Sequence, residues 1–70
     1  MLLNLDLPLK RATLHNEFCP TIPKPYGTKL KPVDRMGPDG GWFHVPSEPE
    51  AVILARTQFP EGKFARCPRC

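Results

Sequence analysis

Between Leu3 and Leu9 a leucine stands at every second position, while Asn4, Asp6, Pro8 and Lys10 take the places between. A period of two marks a strand with one buried face. Pro8 cannot donate to a ladder, so the pattern places this strand, Leu3–Leu9, at a sheet edge or turns the missing donor toward solvent. Arg11 to Phe18 show no clear period, and His15-Asn16-Glu17-Phe18-Cys19 running into Pro20 reads as a turn that presents side chains. Further on, Trp42-Phe43-His44-Val45 is aromatic and β-branched and is closed by Pro46, which predicts a short strand. Ser47-Glu48-Pro49-Glu50 has the spacing of a capping box with proline in the first turn. A helix over 48–59 is therefore expected, its apolar face built from Ala51, Val52, Leu54, Ala55 and Phe59, until Pro60 and Gly62 stop it. The run Val52-Ile53-Leu54 would also suit a strand over 51–59, and the capping box decides for the helix. Lys63 to Arg66 then predict a last short strand. The expected class is α+β, a few short strands with one helix.

The segment 20–41 holds five prolines and four glycines. It reads as an irregular loop with extended pieces, and its Pro38-Asp39-Gly40-Gly41 end as a turn. Structureless loops above about 12 to 15 residues are uncommon in compact domains and are often functional, so partner contacts are expected here. The apolar side chains of Ile22, Tyr26 and Leu30 and the cations Lys24, Lys29, Lys31 and Arg35 are the candidates. The competing reading folds the loop's apolar residues back over the leucine face of the first strand.

Seventy residues suffice for one small domain over 1–70. Ten prolines and five glycines argue against a helical bundle, and the longest mainly apolar stretch, Ala51 to Ala55, is far below the roughly 20 residues that cross a bilayer. No secretory leader is evident in Met1 to Asp6, so a soluble, cytoplasmic protein is expected. At this size the balance of apolar burial against chain entropy comes out near zero, and a further staple is needed. Three cysteines cannot pair completely within one chain, and a reducing compartment disfavours structural disulfides. A metal is the leading staple.

Cys67-Pro68-Arg69-Cys70 is a C-x-x-C pair, whose two-residue spacing lets both thiolates face one ion. Cys19 and, four residues before it, His15 supply a second pair; His44 is the alternative fourth ligand. The C-P-x-C knuckle resembles those of zinc-ribbon and treble-clef domains, although H-x3-C at the front departs from their usual C-x2-C. The resemblance implies a structural zinc and, by analogy of fold alone, work in nucleic-acid machinery.

Motifs of enzyme chemistry are missing: the sequence has no G-x-S-x-G, no phosphate-cradling glycine loop and no H-E-x-x-H. The expectation is a non-enzymatic zinc-binding protein that binds and modulates a larger protein machine. The alternative is a nucleic-acid binder using the basic loop and tail, and the net charge of +3 is modest for that role. An edge strand over Leu3–Leu9 would also allow a homodimer.

Overall fold

The computed structural model describes residues 1–23 and 26–70. The chain runs β1 (Leu2–Asp6), β2 (Arg11–His15), β3 (Gly40–His44), α1 (Glu48–Gln58) and β4 (Lys63–Arg66), an α+β arrangement. The strands form one sheet in the order β3-β1-β2-β4. β1 pairs antiparallel with both β2 and β3, whereas β4 runs parallel to β2. A parallel neighbour cannot be reached by a tight turn, so loop, β3 and α1 together form the crossover.

Three expectations about the N-terminal segment are corrected. β1 ends at Asp6, and Leu7 to Lys10 form the turn of a hairpin, with Leu7 and Leu9 exposed. The Lys10 amide donates to the Leu7 carbonyl at 3.2 Å, and Lys10 closes the turn with φ 49°. Pro8 therefore sits in a turn where no ladder donor is required. β1 is paired on both sides, so the Leu3–Leu9 segment offers no free edge for a homodimer. The third correction is β2 itself: Ala12 and Leu14 face the core, a two-position alternation too short to stand out among Arg11, Thr13 and His15.

The sheet has two unlike faces. Leu3, Leu5, Ala12 and Leu14 pack with Val45 and with Ala51, Ala55 and Phe59 of the helical segment. On the opposite face Leu2 and Trp42 are covered by Cys19 and Ile22, with Tyr26 and Cys67 alongside. The long loop thus folds back on the sheet, as one of its two readings anticipated, but over the face away from the helix. Ser47 precedes the helix as expected, yet its hydroxyl bonds the Glu50 carboxylate rather than a backbone amide. Ile53 points outward, 67% exposed. Among the described residues no helix is long and apolar enough to cross a membrane.

Gly40 shows why the Pro-Asp-Gly-Gly turn needs glycine. Its φ is +122°, and an added Cβ would run into the Leu5 carbonyl oxygen across the β1–β3 pair. Gly40→Ala should cost about 3 kcal/mol, read as a lowered urea midpoint; an unchanged midpoint would refute the close approach. Glu48 accepts from both Nε and Nη2 of Arg66, tying the helix start to β4. Arg66 holds the Glu48 carboxyl below its ordinary value, through the hydrogen bond first and its charge second. A depressed carboxyl contributes stability above its unfolded value and loses it as pH falls through the folded one. Glu48→Gln should lower the thermal midpoint at neutral pH but not in acid below the depressed value; an equal deficit at both would refute the ion pair's contribution.

Candidate metal centre

The β2–β4 register brings the candidate ligands together. Leu14 stands opposite Arg66, so the next residues, His15 and Cys67, leave the same end of the parallel pair. The Cys67 amide extends that ladder by donating to the Leu14 carbonyl at 2.9 Å. Beyond His15 the chain turns, with the Cys19 amide donating to the Asn16 carbonyl at 3.0 Å, and returns Cys19 towards the sheet. After Cys67, Pro68 and Arg69 form the tight turn that returns Cys70.

One ligand atom each from His15, Cys19, Cys67 and Cys70 lies within 4.8 Å of every other, a cluster that could hold a metal ion. With metal–sulfur bonds of about 2.3 Å, a tetrahedral site separates its sulfurs by about 3.8 Å. Cys19 Sγ stands 3.9 Å from Cys67 Sγ, and Cys70 Sγ stands 3.7 Å from His15 Nδ1. Those two spacings suit a tetrahedron. The third relation is different, since Cys19 and Cys70 are joined as a disulfide and Cys67 is the free thiol. The expectation of three unpaired cysteines thus holds for Cys67 alone. The cause is convergence: the same turns that gather the four candidate ligands bring two sulfurs into bonding contact. Metal coordination by all four residues requires that bond to be reduced.

Electrostatics favours the ligand forms of both remaining groups. Burial lowers the His15 pKa, which keeps its imidazole neutral. The Cys67 thiol is also lowered, first by the Thr21 hydroxyl and next by the Arg69 amide; burial opposes them, and the Cys70 amide and the Arg69 charge add lesser help. Thr21 is the residue of this cluster that sequence reasoning missed. Its Oγ1 lies 3.0 Å from Cys19 Sγ, 3.2 Å from Cys67 Sγ and 3.2 Å from His15 Nδ1. The only sequence signal was a hydroxyl two residues after a cysteine.

The other sequence candidates divide. His44 is not in the cluster; its amide and Nδ1 face the Asp34 carboxylate at 3.0 and 3.3 Å, and its Nε2 meets the Tyr26 hydroxyl at 3.1 Å. Ile22 is buried, and Tyr26 packs on Trp42 with ring centroids 5.7 Å apart. Lys31 donates to Asn4 Oδ1 at 2.9 Å and lies 3.8 Å from Asp6. Leu30, Lys29 and Arg35 are exposed, and Lys24 falls outside the described residues. Phe18, beside Cys19, is 94% exposed. No protein-family model, curated protein or solved structure matches the chain.

In the disulfide form, Thr21→Val should move the pH profile of Cys67 alkylation upward. Removing the hydroxyl donor raises the thiol pKa, so less thiolate is present at neutral pH and iodoacetamide reacts more slowly. An unshifted profile would show that Thr21 does not act on this sulfur.

Proposed function

We propose that the chain is a non-enzymatic binding module whose fold is tied by a structural Zn2+ on His15, Cys19, Cys67 and Cys70. The observation that carries the metal reading is the convergence of these four ligand atoms at the ends of β2 and β4. Three thiolates and one imidazole form a soft donor set suited to Zn2+. Four protein ligands leave no open position for substrate or reactive water, which favours a structural ion over a catalytic one. Zinc with three thiolates carries a net charge of −1, and Arg69 supplies a nearby opposite charge.

Binding of a protein partner, with modulation of a larger machine, is supported by apolar side chains left in solvent. Phe18, Ile53 and Leu9 are each more than half exposed, and Phe18 borders the metal residues. The nucleic-acid reading draws less from the geometry: Trp42 is buried, Tyr26 packs on it, and Lys31 is engaged by Asn4 and Asp6. Those groups would otherwise supply stacking and phosphate contacts.

Native mass spectrometry of reduced protein, purified without added metal, should find one zinc per chain. Cys67→Ser and His15→Ala should lose the ion, and His44→Ala should keep it. Stripping zinc under reducing conditions should lower the thermal midpoint by about 12 to 24 °C, the equivalent of about 3 kcal/mol in a domain this small. A reduced, folded, metal-free chain would overturn the reading. Persistence of the Cys19–Cys70 disulfide under those conditions would assign the staple to that bond instead.

A further inference from the structure

The two edges of the sheet are not alike. Along β3 the outer edge is closed by the loop: the Trp42 amide donates to the Pro32 carbonyl at 2.9 Å and the Asp34 amide to the Trp42 carbonyl at 2.6 Å. β4 lies at the other edge, and among the described residues no strand pairs with its outer side. The amides of Lys63 and Cys67 donate inward, to the carbonyls of Lys10 and Leu14, at 3.0 and 2.9 Å. In a parallel ladder alternate residues direct both backbone groups to the same neighbour, so Phe64 and Arg66 direct theirs away from β2. Two donors and two acceptors therefore form an open template for a further strand.

Charge decides what can occupy it. Lys63 and Arg66 are exposed on the strand, Arg69 follows it, and Arg11 stands opposite Lys63 in the register. The nearby carboxylates are Glu48, already engaged by Arg66, and Glu61 in the preceding turn. A second copy would set these cations against their own kind, and like charges directly opposed across strands are unfavourable. We propose that the open edge of β4 takes an acidic, extended segment of a partner protein as a fifth strand. Its backbone pairs with Phe64 and Arg66, and its carboxylates meet Lys63 and Arg69, the cations that Glu48 leaves free. This mode supplies affinity from main-chain bonds and specificity from the side chains on either face. The inference rests on the protein-binding reading above and gives that partner a chemistry. It also gives the metal a task at a distance, because Cys67 is both a candidate ligand and the residue that pins the end of β4 to Leu14.

The test is a titration of labelled, zinc-loaded, full-length protein, followed by amide NMR, with a blocked peptide of about six alternating Glu and Val residues. A Lys/Val peptide serves as the control. Saturable shifts should centre on Phe64 and Arg66, with amide exchange there slowed about tenfold or more. Binding should weaken between about 0.05 M and 0.5 M salt, and the Lys/Val peptide should not bind. Arg66→Pro removes an outward donor without removing a ladder donor and should abolish binding; Arg66→Ala should weaken it only a few-fold. Lys63→Glu leaves the backbone intact and should also lose the acidic peptide, which keeps the test decisive if the proline variant does not fold.

Equal binding of both peptides, no saturable shift, or protection that grows with protein concentration alone would overturn the edge proposal. Shifts gathered at Phe18 or Leu9 would overturn the edge while upholding protein binding. Zinc content measured on the same sample separates these outcomes from failure of the metal reading.

Discussion

The parallel pairing of β2 with β4 is the constraint on which the rest of the molecule depends. Had β4 entered antiparallel, Cys67 would leave the sheet at the end where β2 begins, far from His15. The parallel register sets Leu14 against Arg66 and so releases His15 and Cys67 side by side. It also dictates the middle of the chain, since the path from one parallel strand to its neighbour must cross the sheet and requires many residues. Here that path contains the long loop, β3 and α1, and each part covers something. The helix closes one face over Leu3, Leu5 and Leu14, and the loop closes the other over Leu2 and Trp42.

The division of the core explains why a proline-rich segment can be ordered. Ile22 is buried at the sheet and Tyr26 packs on Trp42, while Lys31 reaches Asn4 and Asp6 on the polar positions of β1. Asp34, with φ 57°, accepts from the His44 amide, and those contacts hold its carboxyl below the ordinary value. The strained backbone is thus compensated by a bond to β3. A loop rich in proline loses less chain entropy on ordering than a flexible one, so a few such contacts go further. The same contacts close the β3 edge and leave β4 as the open one.

Local chemistry carried much of this fold into the sequence. Ser47-Glu48-Pro49-Glu50 marked the helix start at Glu48, and the Phe59-Pro60 boundary marked its end, because both depend on neighbours within one turn. Gly40 and Gly41 marked the entry to β3 for the same reason. The C-x-x-C pair, Cys19 and His15 were legible as a ligand set by residue type, and the structure brings those four together. What was hidden depends on distant partners. β2 has only Ala12 and Leu14 as buried apolar residues, and nothing within five residues says that Phe64 will lie beside Ala12. The leucine alternation misled because it runs on through Leu7 and Leu9, where the chain is already turning. Thr21 was hidden because its importance lies in the sulfurs around it and not in its neighbours along the chain.

Cys19 and Cys70 stand 51 residues apart, and joining them in any way removes much of the unfolded chain's freedom. In the chain-entropy view a loop of that length is worth about 4 kcal/mol of stability, a large share for a domain of this size. A disulfide achieves that closure between two points. A metal on the same sulfurs achieves it too, and adds Cys67 and His15, so that the ends of both parallel strands are fixed as well as the ends of the chain segment. The free Cys67 thiol and the neutral His15 ring, both beside the bonded pair, have no part in a disulfide closure. A four-ligand metal site would use both. The register that puts them there is the register that leaves Phe64 and Arg66 facing outward, so ligand placement and the open edge follow from one strand pairing.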